Sequence, residues 1–148
     1  MQSIDKILKR YSDPASSIIQ VLQDIQHLHN YLPEKVLEYV ASRIHVPLAR
    51  IYSIATFYSA FSLKPRGEHL VTVCMGTACH LRGAPTILEE LERRLGIKPF
   101  ENTKDMKYSL ETVNCLGCCA IGPIVVKDGT YHGEFRLDDV SKLLEEPK

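Results

Sequence analysis

Two short cysteine pairs constrain this chain more than any other feature. Cys74 and Cys79 are separated by four residues, Cys115 and Cys119 by three, and each pair follows a stretch with the pattern of a β-strand. Each intervening segment contains a glycine, which allows the backbone to bend closely around a bound group. Thiolates presented in pairs are typical of a [2Fe–2S] cluster, in which two thiolates bind each iron. The sequence therefore predicts a fold that brings both pairs to one metal–thiolate site.

The composition of the 148-residue chain excludes several classes of protein. Eighteen Lys and Arg residues balance eighteen Asp and Glu residues, so no basic surplus indicates nucleic acid or an anionic membrane. No apolar run approaches the roughly 20 residues that cross a bilayer, and the first residues lack the pattern of a signal or transit peptide. Without an export signal we expect a cytoplasmic protein, and in that reducing compartment clustered cysteines more often bind metal or do redox chemistry than form disulfides.

The first part of the chain has the periodicity of helices. Apolar residues recur at helical spacing after Pro14, Pro33 and Pro47, and proline is well tolerated at the start of a helix. We therefore predict an N-terminal three-helix bundle over residues 1–63. A winged-helix DNA-binding domain begins in a similar way, but no helix here is rich in lysine and arginine.

Residues 64–67, Lys-Pro-Arg-Gly, predict a turn and a domain boundary. Beyond it, over residues 68–148, strand-like alternation and amphipathic helical patterns follow each other in the order β-α-β-β-β-α. The Asp128-Gly129 pair within this part is a strong hairpin signal. The chain is therefore predicted to be an α/β (α+β) protein whose second domain carries both cysteine pairs in loops after strands.

Other cysteine chemistries fit the pattern less well. Structural zinc sites usually consist of two tight knuckles, whereas a helix and a strand separate the two pairs here. A thioredoxin-type C-x-x-C, which Cys115 and Cys118 would form, normally begins a helix, and the residues after it do not predict one. A Rieske centre needs two histidine ligands, which His80 alone does not supply. Spacing alone leaves open whether Cys118 replaces Cys119 as a ligand or is a small buried residue.

The remaining aromatic residues and motifs indicate no further site. Tyr52, Phe57, Tyr58 and Phe61 lie at helical spacing, which is more typical of core residues than of a docking surface. No dinucleotide fingerprint, P-loop or nucleophile–base set stands out. The sequence therefore predicts no substrate-turnover site on this chain.

With these residues the chain resembles the thioredoxin-like [2Fe–2S] ferredoxin subunits of NADH dehydrogenases, where they form the small flavoprotein-module subunit of complex I, and of NAD(P)-linked and electron-bifurcating hydrogenases. The resemblance covers nearly the whole chain. The matching segments are residues 31–34, 46–49, 55–58, 64–67, 73–80 and 113–119, the last followed by Gly122-Pro123, while residues 120–122 differ in detail from the family's usual sequence before the proline.

The resemblance implies a thioredoxin-like second domain in which Cys74, Cys79, Cys115 and Cys119 bind one [2Fe–2S] cluster. It also implies that Cys118, where the family usually has a small residue, is not a ligand. Proteins of this kind pass single electrons and turn over no substrate themselves. The chain is therefore expected to be an electron-transfer subunit of an NAD(P)H-linked oxidoreductase complex.

The resemblance further implies a partner subunit that holds FMN and the NAD(P) site, together with further iron–sulfur subunits, and neither nucleic acid binding nor membrane insertion. Residues 76–80 look more like the corresponding segment of soluble hydrogenase and formate dehydrogenase complexes, some of them electron-bifurcating, than like that of respiratory complex I, which is the alternative. An alternative of another class is a zinc-stabilised interaction or DNA-binding module.

Overall fold

The computed structural model describes residues 2–145; Met1 and residues 146–148, the outermost residues of the two predicted domains, lie outside the described part. The chain divides into two units, Met1–Pro65 and Arg66–Lys148, and each unit has a hydrophobic core of its own. The division falls inside the predicted linker at residues 64–67. That residues 1–63 and 68–148 are separate domains stays a prediction.

The described residues of the first unit form four helices. They are α1 (Gln2–Leu8), α2 (Ile18–His29), α3 (Glu34–Ile44) and α4 (Leu48–Phe57). Helices α2, α3 and α4 correspond to the three predicted helices, and Pro33 and Pro47 occupy the N-cap positions of α3 and α4. The apolar stripes of these helices bury residues such as Ile25, Leu37 and Ile51 completely, so hydrophobic burial holds the unit together.

Helix α1 was not predicted from the sequence. It is seven residues long, too short to show a helical period or to be stable alone. Its Ile4 side chain is buried, and its Asp5 carboxylate accepts a hydrogen bond from Tyr39 Oη at 2.8 Å and pairs with Arg43 at 3.2 Å, both on α3. Tertiary contacts of this kind, which a local pattern does not reveal, keep the first turns of the chain helical.

The prediction that the aromatic stripe is core is wrong for two of its members. Phe61 is buried, but Phe57 is 79% exposed and Tyr58 is 42% exposed. Helix α4 ends at Phe57, and Tyr58 takes an extended backbone with φ −88° and ψ 115°. The chain is not helical beyond Phe57, so helical spacing does not predict on which face Tyr58 and Phe61 lie.

The second unit is built on a mixed five-stranded sheet. Its elements are β1 (His69–Cys74), α5 (Thr77–Leu81), α6 (Ala84–Leu95), β2 (Glu101–Asn102), β3 (Tyr108–Val113), a 3₁₀ turn (Cys119–Ile121), β4 (Val125–Lys127), β5 (Thr130–His132) and α7 (Asp139–Glu145). The strand order is β2-β3-β1-β4-β5. The predicted β-α-β-β-β-α order and fold class are confirmed, and α5, β2 and the 3₁₀ turn are additions to it.

The pairing of the strands determines where the cysteine segments lie. β1 and β3 are parallel, with Cys74 opposite Val113, so the carboxyl ends of both strands meet at one edge of the sheet. β4 is antiparallel to β1, with Val125 opposite Val73, and it therefore begins at the same edge. The segments 75–79 and 114–124 are brought together there.

Two buried polar contacts attach α7 to the opposite end of the sheet. Tyr108 Oη donates a hydrogen bond to the carbonyl oxygen of Leu144 at 2.6 Å. The buried Lys127 Nζ donates to the carbonyl oxygen of Leu143 at 2.7 Å. Both acceptors belong to the last turn of α7, where carbonyl groups lack partners within the helix. These bonds therefore satisfy the helix end and hold it over the core.

We expect Tyr108→Phe to lower the free energy of unfolding of the second unit by about 1 kcal/mol, because the Leu144 carbonyl loses its donor. Urea unfolding at equal metal content measures the change. Tyr131→Phe, at a side chain that is 54% exposed on β5, is the control and should leave the transition unchanged. An equal effect of both substitutions would contradict this description of the contact.

Candidate metal centre

The four predicted ligands lie where strands end, although not all of them lie in loops. Cys74 is the last residue of β1, and Cys115 follows β3 after one intervening residue. Cys79 lies within the short helix α5, and Cys119 begins the 3₁₀ turn. The prediction that both cysteine pairs lie in loops is therefore wrong for Cys79 and Cys119. The sequence does not reveal α5 and the turn, because both are too short to show a helical period.

The structure brings the four thiols together as two pairs. The Cys74 sulfur lies close enough to the Cys79 thiol to raise the pKa of Cys79, and the Cys115 sulfur does the same to Cys119. The two pairs also interact with each other. A negative charge on Cys74 raises the pKa of Cys119, and a negative charge on Cys119 raises the pKa of Cys79. Four thiolates this close repel one another, so a cationic centre between them would relieve the repulsion.

Burial distinguishes the two pairs. Cys74 and Cys79 are 2% and 1% exposed, whereas Cys115 and Cys119 are exposed. Burial raises the pKa of the Cys79 thiol, the nearby Cys74 sulfur raises it further, and the Ile124 backbone amide opposes this rise. The nearby Cys115 sulfur is the main cause that raises the pKa of the Cys119 thiol. Metal binding must therefore displace protons from both pairs.

Two glycines permit the close approach of the segments. A Cβ at Gly76 would lie 2.6 Å from the carbonyl oxygen of Asn114, and a Cβ at Gly122 would lie 3.0 Å from Cys79 Sγ. Both distances are shorter than, or at the limit of, what real side chains show. The first cysteine segment can therefore contact the second only because these two positions carry no side chain.

Backbone amides supply hydrogen bonds to sulfur. The Gly117 N–H donates to Cys115 Sγ at 3.3 Å, and the Ile124 N–H hydrogen-bonds to Cys79. Hydrogen bonds of this kind stabilise thiolates and contribute to setting the reduction potential of a bound cluster. Each cysteine pair thus has a backbone donor.

The arrangement matches the ligand set of a two-iron cluster. Two thiol pairs side by side correspond to a [2Fe–2S] cluster, in which each iron takes two thiolates. The residues present therefore fit the predicted cluster, and the ligand set Cys74, Cys79, Cys115 and Cys119 stays a prediction that this geometry supports.

Cys118 has a different environment. It is half-buried, it packs against the core of the second unit, and its Sγ donates to the carbonyl oxygen of Leu116 at 3.6 Å. These contacts favour the small buried residue over the ligand among the alternatives that spacing left open.

The structure adds one side chain that the sequence analysis did not select. The Arg82 guanidinium, directly after α5, hydrogen-bonds to backbone carbonyls of the second cysteine segment. No periodicity or spacing indicates such a contact, because its partners lie 37 to 40 residues further along the chain.

We expect Gly76→Ala to displace the second cysteine segment, because the new Cβ overlaps the Asn114 carbonyl. Overpacking of this kind costs about 1–3 kcal/mol of stability, and the iron content after reconstitution should fall with it. Gly129→Ala strains a hairpin glycine at φ +84° with open space around it, and it controls for a general loss of stability. Equal iron content in the two variants would contradict the proposed close approach.

For the fourth ligand, we expect Cys118→Ser to keep the cluster and Cys119→Ser to lose it, because only Cys119 belongs to a thiol pair. Iron content and the visible spectrum after anaerobic reconstitution measure the outcome. The reverse result would assign Cys118 as the ligand.

Comparisons with known proteins agree with this geometry. The family model described as thioredoxin-like [2Fe-2S] ferredoxin matches residues 4–148. The NADP-reducing hydrogenase subunit HndA of Solidesulfovibrio fructosivorans is 36% identical over 129 residues, which cover 87% of this chain and 75% of the relative. A subunit of the NADH-quinone oxidoreductase of Rickettsia felis is 37% identical over 145 residues, which cover 96% of this chain and 87% of that relative.

A solved structure shares the fold. An NAD⁺-reducing [NiFe]-hydrogenase in the air-oxidized state superposes with a TM-score of 0.75 at 18% sequence identity. The match covers 84% of this chain and 22% of the hydrogenase chain, so this chain spans about a fifth of that protein. At this level of identity the likeness concerns the fold alone.

Proposed function

Because this chain belongs to the thioredoxin-like [2Fe–2S] ferredoxin family, we propose that it binds one [2Fe–2S] cluster through Cys74, Cys79, Cys115 and Cys119. In this role it is the one-electron-transfer subunit of an NAD(P)H-linked flavoprotein oxidoreductase complex. FMN and the NAD(P) site belong to a partner subunit of that complex. The relatives named as subunits of an NADP-reducing hydrogenase and of an NADH-quinone oxidoreductase support this assignment.

The proposal rests on the two thiol pairs at one edge of the sheet, of which one pair is buried and the other is exposed. When bound, the cluster supplies one-electron redox chemistry. The residues of the chain position and shield the site. Cys74 and Cys79 hold one side of the site away from water, the amides of Gly117 and Ile124 hydrogen-bond to sulfur, and the exposed pair leaves the other side accessible to a partner.

Two exposed apolar side chains lie near the proposed ligands. Leu81 is 81% exposed at the end of α5, and Ile121 is 45% exposed in the 3₁₀ turn. Each lies two residues beyond a proposed ligand. Exposed apolar residues beside a redox centre are typical of a docking surface, because a partner excludes water there. We assign this face to the flavoprotein subunit.

We expect Leu81→Asp to weaken co-purification with the flavoprotein subunit while leaving the cluster spectrum unchanged, because a charge replaces an apolar contact. Met106→Asp is the matched control. Met106 is 41% exposed and precedes β3, at the end of the sheet opposite the cysteines. Equal recovery of the complex with both variants would contradict the assigned docking face.

The type of complex is the finer part of the proposal. From residues 76–80 we infer a soluble hydrogenase or formate dehydrogenase complex, a class that includes electron-bifurcating members, with respiratory NADH:quinone oxidoreductase as the alternative. Relatives of both kinds match at nearly equal identity, 36% and 37%, so both assignments have support. The enzyme activity of the complex that co-purifies with the tagged chain, hydrogen or formate oxidation against quinone reduction, distinguishes them.

A cytoplasmic location is also proposed. All five cysteines are free, as expected in a reducing compartment. No helix within residues 2–145 is long and apolar enough to span a bilayer.

Anaerobic reconstitution tests the proposed cofactor. We expect about two irons and two sulfides per chain and a reddish-brown chromophore, and Cys79→Ser should abolish both. A colourless protein that binds one zinc per chain would overturn the proposal and favour the zinc-stabilised module.

A further inference from the structure

Arg82 connects the two cysteine segments. It follows the last residue of α5, three residues after Cys79. Its Nη1 atom donates hydrogen bonds to the carbonyl oxygens of Cys119 at 2.9 Å, Ala120 at 3.1 Å and Gly122 at 3.2 Å. One nitrogen thus binds three carbonyls around the 3₁₀ turn that begins with a proposed ligand.

The convergence of three carbonyls favours a cationic donor. Each carbonyl dipole points its negative end at the same position, and a neutral donor would offset this repulsion less than a guanidinium does. The bonds within the turn are long, from Ile121 N to Cys118 O at 3.2 Å and from Gly122 N to Cys119 O at 3.3 Å, and Glu134 N donates to Ile121 O at 2.6 Å. Arg82 fastens the other three carbonyls of residues 119–122 to the end of α5.

The guanidinium also lies close to the buried thiol pair. A Cβ at Gly122 would lie 3.0 Å from Cys79 Sγ and 3.7 Å from Arg82 Nη1. The Arg82 guanidinium and the Cys79 sulfur therefore both lie within 4 Å of this position. The Cys119 carbonyl oxygen, 3.5 Å from that position, lies there as well.

We propose that Arg82 is a positioning residue for the electron-transfer centre, which fastens residues 119–122 to the end of α5 and places a positive charge beside the cysteine pairs. This inference rests on the proposed function, since it concerns the cluster. Reduction adds one electron and therefore one negative charge to the cluster. A nearby cation stabilises that added charge and raises the reduction potential, with exposure to solvent reducing the effect but not its sign.

Substitutions of Arg82 distinguish the effect of its positive charge from its role in fastening residues 119–122 to α5. Arg82→Met keeps most of the aliphatic stem and removes both the charge and the donors. Arg82→Lys keeps the charge and offers three N–H donors for the three carbonyls. Arg93→Met removes a charge of the same kind from α6, where the guanidinium bonds to Glu90, and it is the matched control.

The variants are compared with the wild type in the reconstituted full-length protein. A redox titration followed by EPR gives the reduction potential, and an iron chelator gives the rate of cluster loss. We expect Arg82→Met to have a lower potential and to lose the cluster about tenfold faster, as is typical when an outer-sphere partner of a metal site is removed. Arg82→Lys should keep a potential near that of the wild type, and Arg93→Met should match the wild type in both measurements.

Each other outcome has a distinct meaning. A wild-type potential in Arg82→Met, or the same shift in Arg82→Lys as in Arg82→Met, would overturn the role of the charge. Absence of a [2Fe–2S] cluster from the wild type would overturn the proposed function itself. If only Arg82→Met takes up no cluster, hydrogen exchange in the cluster-free proteins decides. The amides of Ile121 and Gly122 should then exchange faster in Arg82→Met than in Arg93→Met, and equal rates would overturn the fastening.

Discussion

The parallel pairing of β1 with β3 is the interaction on which the rest of the second unit depends. With Cys74 opposite Val113, two segments that are far apart in the sequence leave the sheet at the same edge. The antiparallel β4 returns the chain to that edge, so the residues after Cys119 lie there as well. Strand pairing therefore creates the site, and the cysteines only need to follow the strands.

Contacts beyond the sheet then adjust the site. Gly76 and Gly122 allow the segments to touch, and the Arg82 guanidinium joins the end of α5 to the 3₁₀ turn. The solvent exposure of the site is asymmetric, because Cys74 and Cys79 are buried while Cys115 and Cys119 are exposed. A cluster held in this way is shielded on one side and open to an electron-transfer partner on the other, which suits an electron-transfer subunit.

Local patterns predicted the fold class, the long helices and the strands, because periodicity is clear in elements such as α6 and β1. The same reasoning missed α1, α5, β2 and the 3₁₀ turn, which are too short to complete a period. It also placed Phe57 and Tyr58 in the core, since nothing local shows that α4 ends between them. The pairing of the cysteines could be expected from spacing and resemblance, but Arg82 could not, because its role arises from contacts across the fold.

We propose that the two thiol pairs each bind one iron of a single cluster. Mössbauer spectroscopy of the ⁵⁷Fe-reconstituted protein tests this proposal most directly. We predict two ferric sites in the oxidised protein and, after one-electron reduction, one ferric and one ferrous site in equal amounts. A single iron site with four thiolate ligands, or a protein that holds only zinc, would contradict it.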